Sequence, residues 1–207
     1  MKPLTGKIAV VAGATRGAGR GIACMLGEAG ATVYCTGRTS RTGRPSADIG
    51  ADSVYSTIGR PETIEETAEM VTEYGGEGIA VRVDHSQPAE VSALFDRVRN
   101  DQGKLDILVN DIWGGDALTE WGTPFWESSL EKSLLMLRRA VDTHIITSRY
   151  GVPLIVEQGN GLVVEITDGD SDRYRGNVYY DLVKMTVIRL AHNMAQDLKP
   201  RGVTAVA

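Results

Sequence analysis

A chain of 207 residues can bury a substantial core and still be one domain. Its hydrophobic content of 42% and charged content of 24% suit a globular protein, and a net charge of −5 with no basic run argues against a nucleic-acid partner. No apolar run reaches membrane-spanning length, the first residues lack a signal-peptide pattern, and the three histidines are isolated from each other and from Cys24 and Cys35. A cytoplasmic protein with reduced thiols, no membrane partner and no metal site is expected.

Strand and helix patterns alternate along the chain. Residues 8–12 (Ile-Ala-Val-Val-Ala) read as a buried strand that runs into Gly13, Gly17 and Gly19 and then into a helix through Ile22, Ala23, Met25 and Leu26. The unpaired N–H groups of that helix start, and the positive end of its dipole, face the turn and make an anion site. Gly13 permits the tight turn, while Gly17 and Gly19 let a pyrophosphate approach the backbone. The spacing is Gly-x3-Gly-x-Gly, wider in its first gap than the dinucleotide fingerprint Gly-x-Gly-x2-Gly. Residues 32–36 form a second strand, and 37–61 a long polar connection rich in Gly, Ser, Thr, Arg and Pro. A helix opening at Pro61 runs to 74, with acids near its positive end.

A third strand at 78–83, a helix at 88–101 and a fourth strand at 105–109 follow. An aromatic loop occupies 113–126, and a long helix spans 129–156. A fifth strand lies at 161–167, a helix at 179–198, and a sixth strand begins at 203. Apolar strands separated by amphipathic helices predict an α/β, doubly wound Rossmann fold in a single domain over 1–207. Its parallel sheet has the order 3-2-1-4-5-6, with helices on both faces and the ligand crevice at the carboxyl ends of strands 1 and 4. The last strand has no helix after it, so either the natural protein continues or another subunit protects that edge.

Tyr180 and Lys184 are four residues apart and share a helix face. An ammonium beside a phenol favours phenolate and lowers the tyrosine pKa from about 10, making it a usable acid or base. Alone, Tyr-x3-Lys occurs on many amphipathic helices; here it follows strand 5 and faces the crevice. Asn110, at the end of strand 4, either holds the loop, caps a turn or touches the nucleotide.

With these residues in order, the chain resembles the short-chain dehydrogenases/reductases. The resemblance rests on Gly13-x3-Gly17-x-Gly19, Asp84 after strand 3, Asn110 in Asn-Asp-Ile-Trp-Gly and Tyr180-x3-Lys184, and covers nearly the whole chain. Trp113-Gly114-Gly115 and Pro124-Phe125-Trp126 are similar to the branch of dehydrogenase/reductase member 1-like chains and their actinobacterial relatives. The resemblance implies interconversion of a carbonyl and an alcohol by hydride transfer, with Tyr180 exchanging a proton with the substrate oxygen. Lys184 would bind the nicotinamide ribose, Asp84 would meet the adenine, and Asn110 would sit beside the adenine ribose. The cofactor set it implies comprises Gly13, Thr15, Arg16, Gly17, Ala18, Gly19, Arg38, Asp84, His85, Asn110, Tyr180 and Lys184. A small-molecule carbonyl or alcohol substrate and a homo-oligomer, dimer or tetramer, complete the expectation. A nucleotide-binding protein of the same fold without turnover is the alternative.

Two departures from the family stand out. Counting thirteen back from Tyr180 places the family's serine at Thr167, whereas aligning its strand pattern Ile-Ser-Ser places it at Asp168. A threonine hydroxyl can hold a substrate oxygen; a carboxylate can donate only if protonated, and it would raise the tyrosine pKa, opposing Lys184. The family's helix asparagine maps near Ala140 and is absent, with Asp142 or His144 as substitutes or as solvated or packed side chains. Strand 2 ends without an acid, at Gly37-Arg38, with Arg41 and Arg44 beyond and Arg16 in the glycine turn. These arginines favour NADP(H) over NAD(H). Trp113, Trp121, Phe125 and Trp126 cluster after strand 4, as a lipophilic substrate mouth or as packing surface.

Overall fold

The computed structural model describes residues 1–44, 49, 52–168 and 173–207. Six parallel strands form one sheet in the order β3-β2-β1-β4-β5-β6, the predicted doubly wound arrangement. Their bounds are β1 Ile8–Ala12, β2 Thr32–Gly37, β3 Glu77–Arg82, β4 Ile107–Asn110, β5 Gly161–Glu165 and β6 Val203–Val206. The helices are α1 Gly17–Glu28, α2 Ile64–Glu73, α3 Pro88–Gln102, α4 Leu130–Leu137, α5 Thr143–Gln158 and α6 Val178–Leu198.

Every residue of β1 is buried, as a strand covered on both faces requires. Ile8 and Val10 pack with Leu94, Phe95, Leu154 and Ile155 of α3 and α5, whereas Ala9 and Val11 pack with Ala23, Ala68 and Val71 of α1 and α2. A third, smaller cluster of Leu118, Met136, Ala140 and Val183 lies beneath Trp113 and Tyr180.

Beyond shifts of one or two residues at strand ends, the structure departs from the sequence expectation in the helices and the aromatic loop. α2 starts at Ile64, not Pro61, because Thr63 accepts from the Glu66 N–H while the Glu66 carboxylate accepts from the Thr63 N–H, a complete capping box. The long helix expected at 129–156 is interrupted by a π-helical segment, Arg138–Asp142, a form that widens the helix at functional sites. The aromatic loop contains a short 3-10 turn, Asp116–Leu118. Part of the polar connection at 37–61 lies outside the described residues.

Candidate active site

The register brings Thr36, Ala12, Asn110 and Glu165 side by side at the carboxyl ends of β2, β1, β4 and β5. Beyond that line opens a cleft of about 980 Å³, walled by the glycine turn, the end of β2, the segments after β3 and β4, and the start of α6. The sheet thus delivers residues distant in sequence to one crevice, at the switch point where the strand order reverses.

At one end, Gly13, Thr15, Arg16, Gly17 and Ala18 line the cleft. Gly17 has φ of +59° and open space where a Cβ would stand, so the backbone there is accessible to a ligand. Gly19 has a different job from the one expected. It is buried, and a Cβ on it would come within 2.5 Å of the Gly13 carbonyl and 2.7 Å of an Asp111 carboxylate oxygen. Gly19 therefore permits α1 to pack under the β4 loop and is not part of the cleft wall. Asp111, a residue the sequence pattern did not single out, lines the cleft and accepts from the Gly19 N–H; burial, only partly offset by that bond, pushes its carboxyl up to about 6.

Arg16 sits in the wall with Nε and Nη2 buried and without hydrogen-bond partners. Its nearest counter-charge is Glu62, with Nε 3.8 Å from a carboxylate oxygen. Burial lowers the guanidinium's pKa, and Glu62 offsets part of that shift. Arg38 and Asp84 also line the cleft. Burial raises the Asp84 pKa, but hydrogen bonds from the Ser86 N–H and hydroxyl, with Arg38 nearby, bring it below the ordinary value. Arg41 instead clamps Glu69 of α2 on the surface, and Arg44 donates to the carbonyls of Arg60 and Pro61.

Two residues expected to meet the nucleotide have their side chains bonded to the scaffold. The His85 side chain bridges the hydroxyls of Thr36 and Thr147, 2.8 Å from each, and burial pushes its pKa down to about 3. It is a neutral strut in the floor of the cleft. Asn110 is fully buried and outside the cleft wall; its amide donates to Ser148 (2.9 Å) and Glu165 (2.8 Å). Glu165 in turn meets His144 Nδ1, and His144 Nε2 lies 2.9 Å from the Ile112 carbonyl. Asn110 thus ties the end of β4 to β5 and α5, and His144 of α5 ties the loop after β4 to β5.

At the other end stand Asp168, Thr167 and Lys184. Tyr180 is outside the cavity wall proper but reaches its rim: its hydroxyl donates to Asp168 Oδ2 at 2.5 Å. Lys184 Nζ lies 3.3 Å from Asp168 Oδ1 and 3.8 Å over the Trp113 ring. Arg175 completes the cluster, with Nη2 2.8 Å from Asp168 Oδ2 and Nη1 on the Asp168 carbonyl. Thr167 turns its hydroxyl to the Lys184 carbonyl, 3.2 Å away. Of the two positions proposed for the family's serine, geometry puts Asp168 against Tyr180.

This changes the electrostatics expected of the pair. Lys184 is engaged by Asp168 and Trp113, and the Tyr180 pKa moves up, not down, through burial and then the adjacent Asp168 carboxylate. Asp168 moves the opposite way: burial would raise its pKa, but Tyr180, Lys184 and Arg175 together bring it below the ordinary value. Trp113 and Trp121 both pack on the Tyr180 ring, at centroid distances of 5.6 and 5.0 Å. Phe125 and Trp126 are exposed and, among the described residues, pack only on each other's rings, so half of the aromatic cluster packs on Tyr180.

A glycine turn opening a helix, a cleft at the sheet's switch point and a tyrosine-lysine pair on its rim define a dinucleotide-fold protein of the dehydrogenase/reductase kind. The chain belongs to the short-chain dehydrogenase/reductase family: residues 42–207 match the family profile described as enoyl-(acyl carrier protein) reductase. It is 35% identical over 208 residues to dehydrogenase/reductase SDR family member 1 of Homo sapiens, covering 99% of this chain and 60% of that protein. The chain thus spans 60% of the length of that curated relative. A Serratia marcescens short-chain dehydrogenase/reductase double mutant superimposes with a TM-score of 0.77 at 27% identity, covering 98% of this chain and 73% of that one. A metagenomic short-chain oxidoreductase solved with NADP shares the fold at a TM-score of 0.74 and 22% identity, over 97% of this chain and 80% of its own.

Proposed function

We propose that the chain is an NADP(H)-dependent oxidoreductase that interconverts a carbonyl and an alcohol on a small molecule, with Tyr180 exchanging the proton. The observation that carries this reading is the Tyr180–Asp168–Lys184 cluster on the rim of a cleft whose far end is the glycine turn. The cleft fits a dinucleotide: Gly17 leaves open space at the start of α1, and Arg16 holds buried nitrogens without partners. Gly17 and Ala18 would take the phosphates, Asp84 the adenine, and Lys184 the nicotinamide ribose. Arg16 and Arg38 favour NADP(H), since strand β2 ends in Gly37-Arg38 without an acid and a 2′-phosphate would give the buried Arg16 nitrogens the hydrogen-bond acceptor they lack. Such a dinucleotide supplies the hydride donor or acceptor. Tyr180 presents the proton-carrying oxygen, and Trp113 and Trp121 hold its ring.

The reading includes a homo-oligomer, supported by Leu130 and Leu134 of α4 and Leu182 of α6, all exposed. It also includes a cytoplasmic setting, supported by the free, buried thiols of Cys24 and Cys35. A second reading, nucleotide binding without turnover, is favoured by the upward shift of the Tyr180 pKa, which keeps the phenol protonated near neutral pH and makes it a weaker acid. NADPH oxidation with a panel of aromatic and aliphatic ketones, and NADP+ reduction with the matching alcohols, separate the two. Tyr180-dependent turnover supports the enzyme. Dinucleotide binding with no turnover in either direction supports the alternative.

A further inference from the structure

We infer that Asp168 is the proton acceptor behind Tyr180, so that Tyr180 and Asp168 form a two-link relay held in place by Arg175. The inference rests on the oxidoreductase reading above and assigns to Asp168 and Arg175 a task that a serine in the same place could not perform. A serine hydroxyl donates to a substrate oxygen. An ionised carboxylate only accepts, and here it accepts the tyrosine's own proton at 2.5 Å. The phenol oxygen, its proton committed to Asp168, offers a lone pair to the hydroxyl of a bound alcohol.

The proton balance follows. As the alcohol carbon loses hydride to the oxidised dinucleotide, the O–H bond of the alcohol breaks and its proton forms a new bond to the Tyr180 oxygen. The Tyr180 O–H bond breaks in the same event, and its proton passes to Asp168 Oδ2. The products are the carbonyl compound, the reduced dinucleotide, neutral Tyr180 and neutral Asp168; solvent then removes the proton from Asp168, whose side chain is 46% exposed. Tyr180 never carries a negative charge beside the carboxylate, which is the state its environment disfavours. In the reverse direction Asp168 must first be protonated, so carbonyl reduction is favoured at lower pH than alcohol oxidation.

Arg175 is a positioning residue: it grips both the carboxylate and the backbone carbonyl of Asp168. Among the described residues, the groups facing the relay are Tyr180 and Lys184 from α6, Arg175 from the segment before it, and Asp116 from the 3-10 turn after β4. Asp111, from the β4 loop, faces Lys184.

The first measurement needs neither substrate nor cofactor. Phenolate absorbance of Tyr180, isolated by subtracting a Tyr180→Phe titration, should appear at clearly lower pH in Asp168→Asn than in wild type. The second uses an alcohol that the wild-type chain oxidises, drawn from 1-phenylethanol and cyclohexanol. Its oxidation should show an acidic limb set by Asp168, which Asp168→Asn should abolish while slowing oxidation about a hundredfold, the lower end for a positioned proton acceptor. Arg175→Met, which keeps the carboxylate, should move that limb to higher pH, and it stands in if Asp168→Asn fails to fold. An unshifted phenol midpoint in Asp168→Asn, or an unshifted limb in Arg175→Met, overturns the relay. Loss of activity in Tyr180→Phe alongside wild-type rates in Asp168→Asn overturns the relay alone, whereas full activity in Tyr180→Phe overturns the oxidoreductase reading of the site.

Discussion

Tyr180, Lys184 and Asp168 are bound so closely that each changes what the others can do. Deleting only the phenolic oxygen, in Tyr180→Phe, leaves the ring between Trp113 and Trp121, so dinucleotide affinity should persist while turnover falls at least about a hundredfold. Tyr179→Phe, about 100° round the helix, is the control and should leave kcat near wild type. Steady-state kinetics with calorimetric cofactor titration check both. At the far end of the cleft, Arg38→Asp should weaken NADP(H) far more than NAD(H), because it removes a cation and adds an anion that repels a 2′-phosphate. Equal weakening of the two cofactors would remove Arg38 from 2′-phosphate recognition and leave Arg16 as the candidate.

Among the elements, α2 shows how little local chemistry is needed to fix a boundary. Pro61 and the acids after it are consistent with a helix start, but the reciprocal Thr63–Glu66 bonds set the first turn at Ile64. The Glu66 carboxylate also takes a hydrogen bond from Arg20 of α1 at 3.0 Å, and Arg20 donates to the Thr63 carbonyl as well, so this cap ties two helices together. Thr63→Ala should lower stability by about 1 kcal/mol, the usual cost of a lost side-chain cap, measured by urea denaturation. The helix before α5 is governed by packing instead. Its π-helical segment seats Ala140 in the cluster with Leu118, Met136 and Val183, directly beneath Trp113 and Tyr180.

At the level of the whole molecule, buried titratable groups set the response to acid. His85 is held neutral between Thr36 of β2 and Thr147 of α5, with its pKa pushed down to about 3 from an unfolded value of about 6.5. The unfolded chain therefore binds this proton first, and His85 erodes stability as pH falls from about 6.5 toward about 3. Asp111, raised to about 6, acts in the opposite sense, its contribution being lost as pH rises toward that value. Thermal melts of His85→Gln against wild type across this range isolate the histidine: the variant should lose less stability on acidification than wild type does. An identical slope would mean that His85 opens to solvent before it titrates.

The pattern of apolar strands, glycine turn and amphipathic helices was enough to give the sheet order and the place of the cleft. β1 must be buried on both faces, and parallel strands with right-handed crossovers allow few topologies. The positions of Gly17, Arg16, Tyr180 and Lys184 around the cleft followed from the same reasoning, because spacing along a strand or helix fixes a face. What the side chains do there required the tertiary structure. Asn110 and His85 face inward to Glu165, Ser148, Thr36 and Thr147, residues remote in sequence, and only the strand register together with the packing of α5 brings them together. Asp111 and Arg175 carry no spacing signal, since their partners, the Gly19 N–H and Asp168, meet them through loop geometry. The direction of the Tyr180 shift was undecidable from Tyr-x3-Lys alone: sequence places a cation one turn away, but burial and the nearer carboxylate of Asp168 determine which form of the phenol is favoured.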